Sequence, residues 1–305
     1  MTPLASNNCF SPEVDEAYTF SSPLVALEST VLTHGLPVPH NREMALAMEA
    51  AVRQEGAVPA TIAVLQGKVH VGLTPEEMDE LLNARKVRKV SQRDFATVIT
   101  AREYGGTTVA GTLFVAHEVG IRVFATGGIG GVHPGPGLDI SSDLHALAHT
   151  PMIVVCAGAK AILDLPATLE VLETNAVPVI GYQTEEFPAF YSPDSGLPVS
   201  ARLDSPEAVV QFALTHWDLG FNSAVLVTQP PPQDSALPSN TVRDFLSQAQ
   251  REAREKGVHG QSLTPFLLRR LGELSGGATL KTNMALLLNN AHLAGRIALA
   301  WQEQD

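Results

Sequence analysis

Apolar residues fall into short runs bounded by turn residues, and these runs alternate with stretches of helical spacing. The first run, LVALES from Leu24, predicts a strand that ends in the polar corner Glu28-Ser29-Thr30. Gly35 to Asn41 predicts a loop, because Pro37 and Pro39 disfavour helix at the residues before them. REMALAMEAAVRQEG then carries Ala and apolar residues on a helical period and stops at Gly56, a C-terminal cap. PATIAVLQGKVHVGL predicts two strands turning at Gln66-Gly67. Thr74-Pro75-Glu76-Glu77 predicts a helix start, with an N-cap, a proline in the first turn and a capping-box Glu. KVSQRDF reads as a corner that Ser91 or Asp94 caps, and TTVAGTLFVAHEVG passes from strand into a helix whose exposed face carries His117 and Glu118.

Three more apolar runs follow, RVFATGG, MIVVCAG and PVIGYQT, separated by the helical patterns SDLHALAH and AILDLPATLEVLETN. Strands that are apolar nearly throughout, alternating with helices, predict a largely parallel sheet covered on both faces. Ala189 to Asp204 reads as a surface loop near the site, SPEAVVQFALTHWDLG as a capped helix and SAVLVTQ as a strand. Three consecutive prolines make PPPQDSALP a loop, and residues 239–256, SLTPFLLRRLGELSGG and Leu280 to Gln302 predict a helical C-terminal layer. The expected organisation is an arm over residues 1–22, with a short helix from Pro12 to Ala17, followed by one α/β domain over 23–305.

Composition narrows the function. The chain has 305 residues, 45% of them hydrophobic and 17% charged, which is the composition of a globular protein with a large core. Charged residues interrupt every apolar run before it reaches the length of a membrane span, and MTPLASNNCF lacks the features of a signal peptide, so a cytoplasmic protein with no membrane partner is expected. A formal charge of −12 with no basic block argues against nucleic acid as a partner. Only two cysteines occur; Cys9 and Cys156 fit a reducing compartment, with Cys156 in MIVVC reading as a small buried hydrophobe. An anionic substrate would need local cations, and the lysines are few: Lys68, Lys86, Lys89, Lys160, Lys256 and Lys281.

The stretch from Phe124 to Lys160 concentrates the candidate chemistry. Gly127, Gly128, Gly130 and Gly131 follow the strand RVFAT, where backbone N–H groups can approach an anion; a tight turn without a ligand accounts for them equally well. TGGIGG matches neither the Walker nor the dinucleotide pattern. Asp139 and Asp143 in DISSD would share one face of a helix starting there and would suit Mg²⁺ or Mn²⁺, but capping by Asp139 or Ser141 and a first-turn acid at Asp143 is the weightier reading. Lys160 follows an apolar strand and a small-residue turn. Burial there would lower its pKa and make it a nucleophile towards carbonyls; the alternative is a surface lysine at a helix start. Glu28 at its strand end reads either as a general acid or as a hydrogen-bonded corner residue. The histidines lack metal-site spacing, and His133 alone is placed at the site.

Taken in order, ALESTVLTHGLP, GAVPATIAVLQGKVHVGL, KVSQRDF, GTTVAGT, FATGGIGGVHPG, DISSDL, VVCAGAKAILDLPATLEVLET, PVIGYQT and KTNMALLLNNA resemble the pseudouridine-5'-phosphate glycosidase family, from about Val25 to Ala291. The resemblance implies a three-layer α/β/α homotrimer of the lyase class that reversibly cleaves pseudouridine 5'-phosphate to uracil and ribose 5-phosphate, with degradation the expected direction. It implies Mn²⁺, one per subunit, with Mg²⁺ or another divalent ion as substitute. Carried over position by position, it makes Lys160 the Schiff-base lysine, Glu28 the acid and Asp139 the metal ligand. Lys89, the Val109 backbone and Ser141, Ser142 and Asp143 become substrate contacts beside His133. The one departure is a connection between Gly135 and Asp139 shorter than the family pattern.

The chemistry is coherent with that implication. A C-glycosidic bond has no heteroatom for an acid to protonate, so the paired-carboxylate route of ordinary glycosidases does not apply. An iminium on Lys160 would supply the electron sink, Glu28 the proton for the uracil carbon, and Lys89 both attraction for the anion and a neighbouring positive charge. Two rival readings stay open: another Schiff-base phosphosugar lyase of aldolase type, and a phosphosugar-binding module without catalysis.

Overall fold

A computed structural model describes residues 8–135, 137, 139–258 and 263–304. Its centre is a sheet of eleven strands in the order β1-β4-β3-β2-β7-β8-β11-β9-β10, with β5 and β6 branching from β3. The middle strands are β2 (Leu24–Glu28), β3 (Val58–Leu65), β7 (Val123–Ala125), β8 (Ile153–Cys156), β11 (Val225–Thr228) and β9 (Val179–Tyr182). All pair in parallel, and β7, β8, β9 and β11 are buried at every residue, as the apolar runs predicted. The antiparallel pairings within the sheet are those of β3 with β4 (Lys68–Val71), the hairpin at Gln66-Gly67, and with β6 (Tyr104–Thr107).

The branch at β3 shapes the site. Strand β2 runs beside β3 only as far as the pair Glu28 and Ile62, and β6 takes over the same edge at Ala63 and Val64. At that junction two hydroxyls reach the Ile62 carbonyl, Ser29 Oγ at 2.6 Å and Thr107 Oγ1 at 2.7 Å. The Ser29 Oγ in turn accepts the Thr107 N–H at 2.9 Å. Such a corner can be buried because each polar group in it has a partner.

Helices cover both faces. They include α2 (His40–Gln54), α3 (Pro75–Asn83), α4 (Phe95–Thr100), α5 (Val109–Glu118), α6 (Ser142–Ala148), α7 (Leu165–Thr174) and α8 (Pro206–Asp218). The C-terminal layer is α9 (Ser239–Glu255), α10 (Leu263–Leu274) and α11 (Ala278–Gln302), with α11 packed on α2 and α8. The predicted capping box at Thr74 and Glu77 is present in both directions. One hydrophobic core contains residues from Val14 to Ala300.

Four segments differ from the sequence expectation. Asn8–Phe10 of the expected arm is a strand, β1, paired with β4, and α1 (Pro12–Phe20) buries Val14 and Ala17, so from Asn8 the arm is built into the domain. The corner before Ser91 contains β5 (Val87–Val90), whose alternating VRKV lacks a continuous apolar run because only Val90 is buried. The loop Ala189 to Asp204 ends in a three-residue edge strand, β10 (Ala201–Leu203), too short to show periodicity. Val31–Gly35 forms a π-helical turn directly after the Glu28 corner. Residues 1–7, and Pro136 and Leu138 of the shortened connection, lie outside the described residues.

Candidate active site

The carboxyl ends of β2, β7 and β8 deliver three candidate groups. Glu28 closes β2 and is 5% exposed. Thr126 follows β7 and donates its hydroxyl hydrogen to Glu28 Oε1. Lys160 follows the turn after β8 and is half-buried. The loops after β7 and β8 are laced together: Ala157 N–H donates to the Gly127 carbonyl at 2.9 Å, Ile129 N–H to Gly158 at 3.1 Å and Lys160 N–H to Ile129 at 3.1 Å. Lys160 is thus positioned by the glycine loop that precedes it by thirty residues in the chain. Gly158 itself has φ +87, and a Cβ there would lie 2.3 Å from the Pro188 carbonyl, so the turn requires glycine.

One N–H of the glycine loop is taken by a carboxylate of the same chain. Asp143, in the first turn of α6 and 5% exposed, accepts the Gly130 N–H at 2.8 Å through Oδ2 and the Ala110 N–H at 3.0 Å through Oδ1. A Cβ on Gly130 would sit 2.7 Å from Oδ2, so the glycine permits this close approach. The carboxylate expected on the resemblance to meet substrate thereby braces the glycine loop against the start of α5. Ser141 caps α6, accepting the Asp143 N–H at 3.2 Å, so the capping reading holds for Ser141. Asp139 precedes the helix and is exposed whereas Asp143 is buried, so the two do not share a helical face.

Glu28 and Lys89 lie in the fields of Lys160, Asp143 and each other. Burial raises the pKa of Glu28; Lys160, the Thr126 hydrogen bond and Lys89 oppose the rise, and Asp143 adds to it. Lys89, on β5, is exposed to water yet surrounded by enough protein for burial to lower its pKa, with Lys160 contributing next and Asp143 and Glu28 opposing. The site therefore offers a carboxyl group whose pKa burial raises, with two amines in its field. Cys156 is fully buried with its thiol pushed up to about 12, and is a core residue as expected.

The remaining candidates lie on the segments that follow β6 and β7. Val109 is the first residue of α5 and buried, behind the cap Thr108. His133 is half-buried, and its N–H donates to the Asp139 carbonyl at 2.9 Å. Ser142 is exposed beside Ser141. Among the described residues no three His, Cys, Asp or Glu side chains converge as a metal cage. Asp139 offers a single exposed carboxylate. That donor set fits a hard ion that keeps most of its waters, as Mg²⁺ and Mn²⁺ do, and not a dehydrated structural ion.

Three functional neighbours escape sequence reasoning. Thr126 holds Glu28, and Asn290 of α11 donates from Nδ2 to the Thr126 carbonyl at 2.7 Å. Gln229, just past β11, donates from Nε2 to Asn290 Oδ1 at 3.0 Å, which fixes the amide's orientation. An Asn just past the apolar run MALLL, within KTNMALLLNNA, is the available signal, but its partners come from distant strands.

The family model described as indigoidine synthase A like protein matches residues 13–300. Similar curated proteins include the pseudouridine-5'-phosphate glycosidase of Methylobacterium nodulans, 52% identical over 293 residues, 95% of this chain and 87% of that protein. That of Geobacillus kaustophilus is 50% identical over 95% of this chain and 97% of its own. Among solved structures, the prealnumycin C-glycosynthase AlnA in complex with ribulose 5-phosphate superposes with a TM-score of 0.90 at 37% identity, covering 97% of each chain. An indigoidine synthase A-like protein of Thermotoga maritima gives 0.86 at 36% identity, covering 92% of this chain and 94% of its own.

Proposed function

The chain belongs to the indigoidine synthase A like family, and on that premise we propose that it is a pseudouridine-5'-phosphate glycosidase acting through an imine between Lys160 and the ring-opened sugar. The observation that carries this reading is the buried, pKa-raised Glu28 with Lys160 and Lys89 in its field at the carboxyl ends of parallel strands. Similarity to curated glycosidases of that name, and to a C-glycosynthase in complex with ribulose 5-phosphate, supports a pentose phosphate as the sugar half.

In cleavage, the Lys160 amine takes the place of the ring oxygen at the sugar C1′, and its displaced proton ends on that oxygen. Glu28 then protonates uracil C5. The electrons of the C–C bond return to the uracil ring while the lysine nitrogen forms C=N with C1′. Water hydrolyses the iminium, releasing ribose 5-phosphate and the free amine, and the proton set free returns to Glu28. In the synthetic direction joining uracil to ribose 5-phosphate releases water, which places the reaction with the lyases rather than the hydrolases. Lys89 attracts the anionic substrate across a chain that is otherwise strongly acidic. His133, Ser141, Ser142, Asp143 and the Val109 backbone border the substrate, and Asp143 also keeps their supporting loops in register.

Asp139 is the residue we assign to a divalent ion, Mn²⁺ or alternatively Mg²⁺, one per subunit. When bound there, the ion supplies positive charge that orients anionic substrate through its waters. The assembly we assign is the homotrimer implied by the family resemblance. A cytoplasmic location is supported by two free cysteines, and no helix among the described residues is long and apolar enough to cross a membrane.

The deciding experiment feeds the protein pseudouridine 5'-phosphate with Mn²⁺ and measures uracil. Borohydride with ribose 5-phosphate should leave a covalent adduct on Lys160. Absence of both signals would sink the reading, and an adduct without uracil release would favour another Schiff-base lyase.

A further inference from the structure

Thr126 has no exposure to solvent and touches the acid from one side. Its backbone is fixed at both ends: the N–H donates to the Val155 carbonyl of β8 at 3.0 Å, and the carbonyl accepts from Asn290 at 2.7 Å, with Gln229 holding Asn290 in turn. A β-branched side chain on so constrained a backbone has little rotamer freedom. Its hydroxyl therefore points at Glu28 as part of the frame.

We propose that Thr126 is a positioning residue which fixes Glu28 Oε1 as the hydrogen-bond acceptor, so that the transferable proton of the acid sits on Oε2. The alternative arrangement, with the proton on Oε1 donated to Thr126, would leave the threonine hydrogen needing another acceptor inside the core, a costly outcome. On the proposed reaction, on which this inference rests, Oε2 is then the oxygen that delivers the proton to carbon. The Thr126 hydroxyl also favours the carboxylate, together with Lys160 beyond β8 and Lys89 on β5, against burial and Asp143 on α6. Glu28 must be protonated to act in cleavage, so its activity falls as pH rises through its pKa. Loss of the Thr126 donor moves that fall to higher pH.

The test compares Thr126→Val with Thr126→Ser in pH profiles of uracil release. For Thr126→Val, kcat falls roughly 10- to 100-fold with KM nearly unchanged, and the alkaline limb moves up in pH. Thr126→Ser keeps the limb and most of the rate. Thr126→Cys, with only a weak donor, replaces the valine form if that form does not fold. Borohydride trapping of ribose 5-phosphate on Lys160 persists in each variant, because that step moves no proton to carbon. A valine or cysteine form with wild-type kcat and an unmoved limb, or a serine form as impaired as valine, overturns the assignment to Thr126 alone. A wild type that neither releases uracil nor traps overturns the reaction, and the assignment with it.

Discussion

Glu28 and Asp139 are both carboxylates assigned to one site, yet they stand in opposite physical settings. Glu28 is nearly inaccessible, held by Thr126, and carries a pKa that burial raises. Asp139 is exposed, and the segment around it is tied down chiefly through backbone bonds, His133 N–H to the Asp139 carbonyl and Ser141 N–H to Gly131 at 3.0 Å. The first setting suits proton transfer, which needs a tuned, water-poor acid. The second suits a hydrated ion and a substrate that must enter and leave. On the proposed reaction, the buried half serves the chemical step and the exposed half serves binding.

That division can be broken most sharply at Lys160. Lys160→Ala should lower uracil release by at least about 10³-fold and abolish the borohydride adduct seen by mass spectrometry. Glu28→Gln should lower kcat by roughly 10²- to 10⁴-fold while the adduct with ribose 5-phosphate still forms, since only transfer to carbon needs the acid. On the exposed side, Asp139→Asn or excess chelator should raise KM more than it lowers kcat, and added Mn²⁺ should restore the chelated wild type. An equal loss of kcat there would merge the two halves.

Smaller effects concern stability. Asp143→Asn leaves one backbone N–H facing an amide that lacks a second acceptor oxygen, at a cost of about 1.5–3 kcal/mol, read as a thermal midpoint several degrees lower. Glu28→Gln should do the reverse above mildly acidic pH. Because the folded acid has a pKa above 4.5, folding binds a proton there and wild-type stability declines as pH rises through that window. The neutral glutamine escapes this decline, so its midpoint should exceed the wild type's at neutral pH and converge with it at low pH in thermal melts. A constant difference across pH would mean that folding does not raise the Glu28 pKa.

Local patterns made much of the fold legible. Apolar runs marked β2, β7, β8, β9 and β11, the Thr74 capping box marked α3, and the turn at Gln66-Gly67 marked the hairpin, because each depends on neighbours within a few residues. Strands β1, β5 and β10 were not legible, since edge strands of three or four residues owe their existence to a partner strand rather than to their own pattern. The glycine loop illustrates the same limit in the site: its glycines read equally as an anion cradle or a tight turn, and the sequence does not show that the Gly130 N–H is bound by Asp143 of the same chain.

By itself the sequence determined the class of sheet, the helical C-terminal layer and, through ordered motifs, the residues to inspect: Glu28, Lys89, Asp139 and Lys160. Tertiary structure alone decided what each can do. It ended β2 at Glu28 where β6 takes over the edge of β3, laced Lys160 to a loop thirty residues earlier, and brought Asn290 from the last helix to the backbone of Thr126. Residue type limits the chemistry available, whereas pKa, proton position and access depend on burial and on partners that the chain supplies only once it has folded.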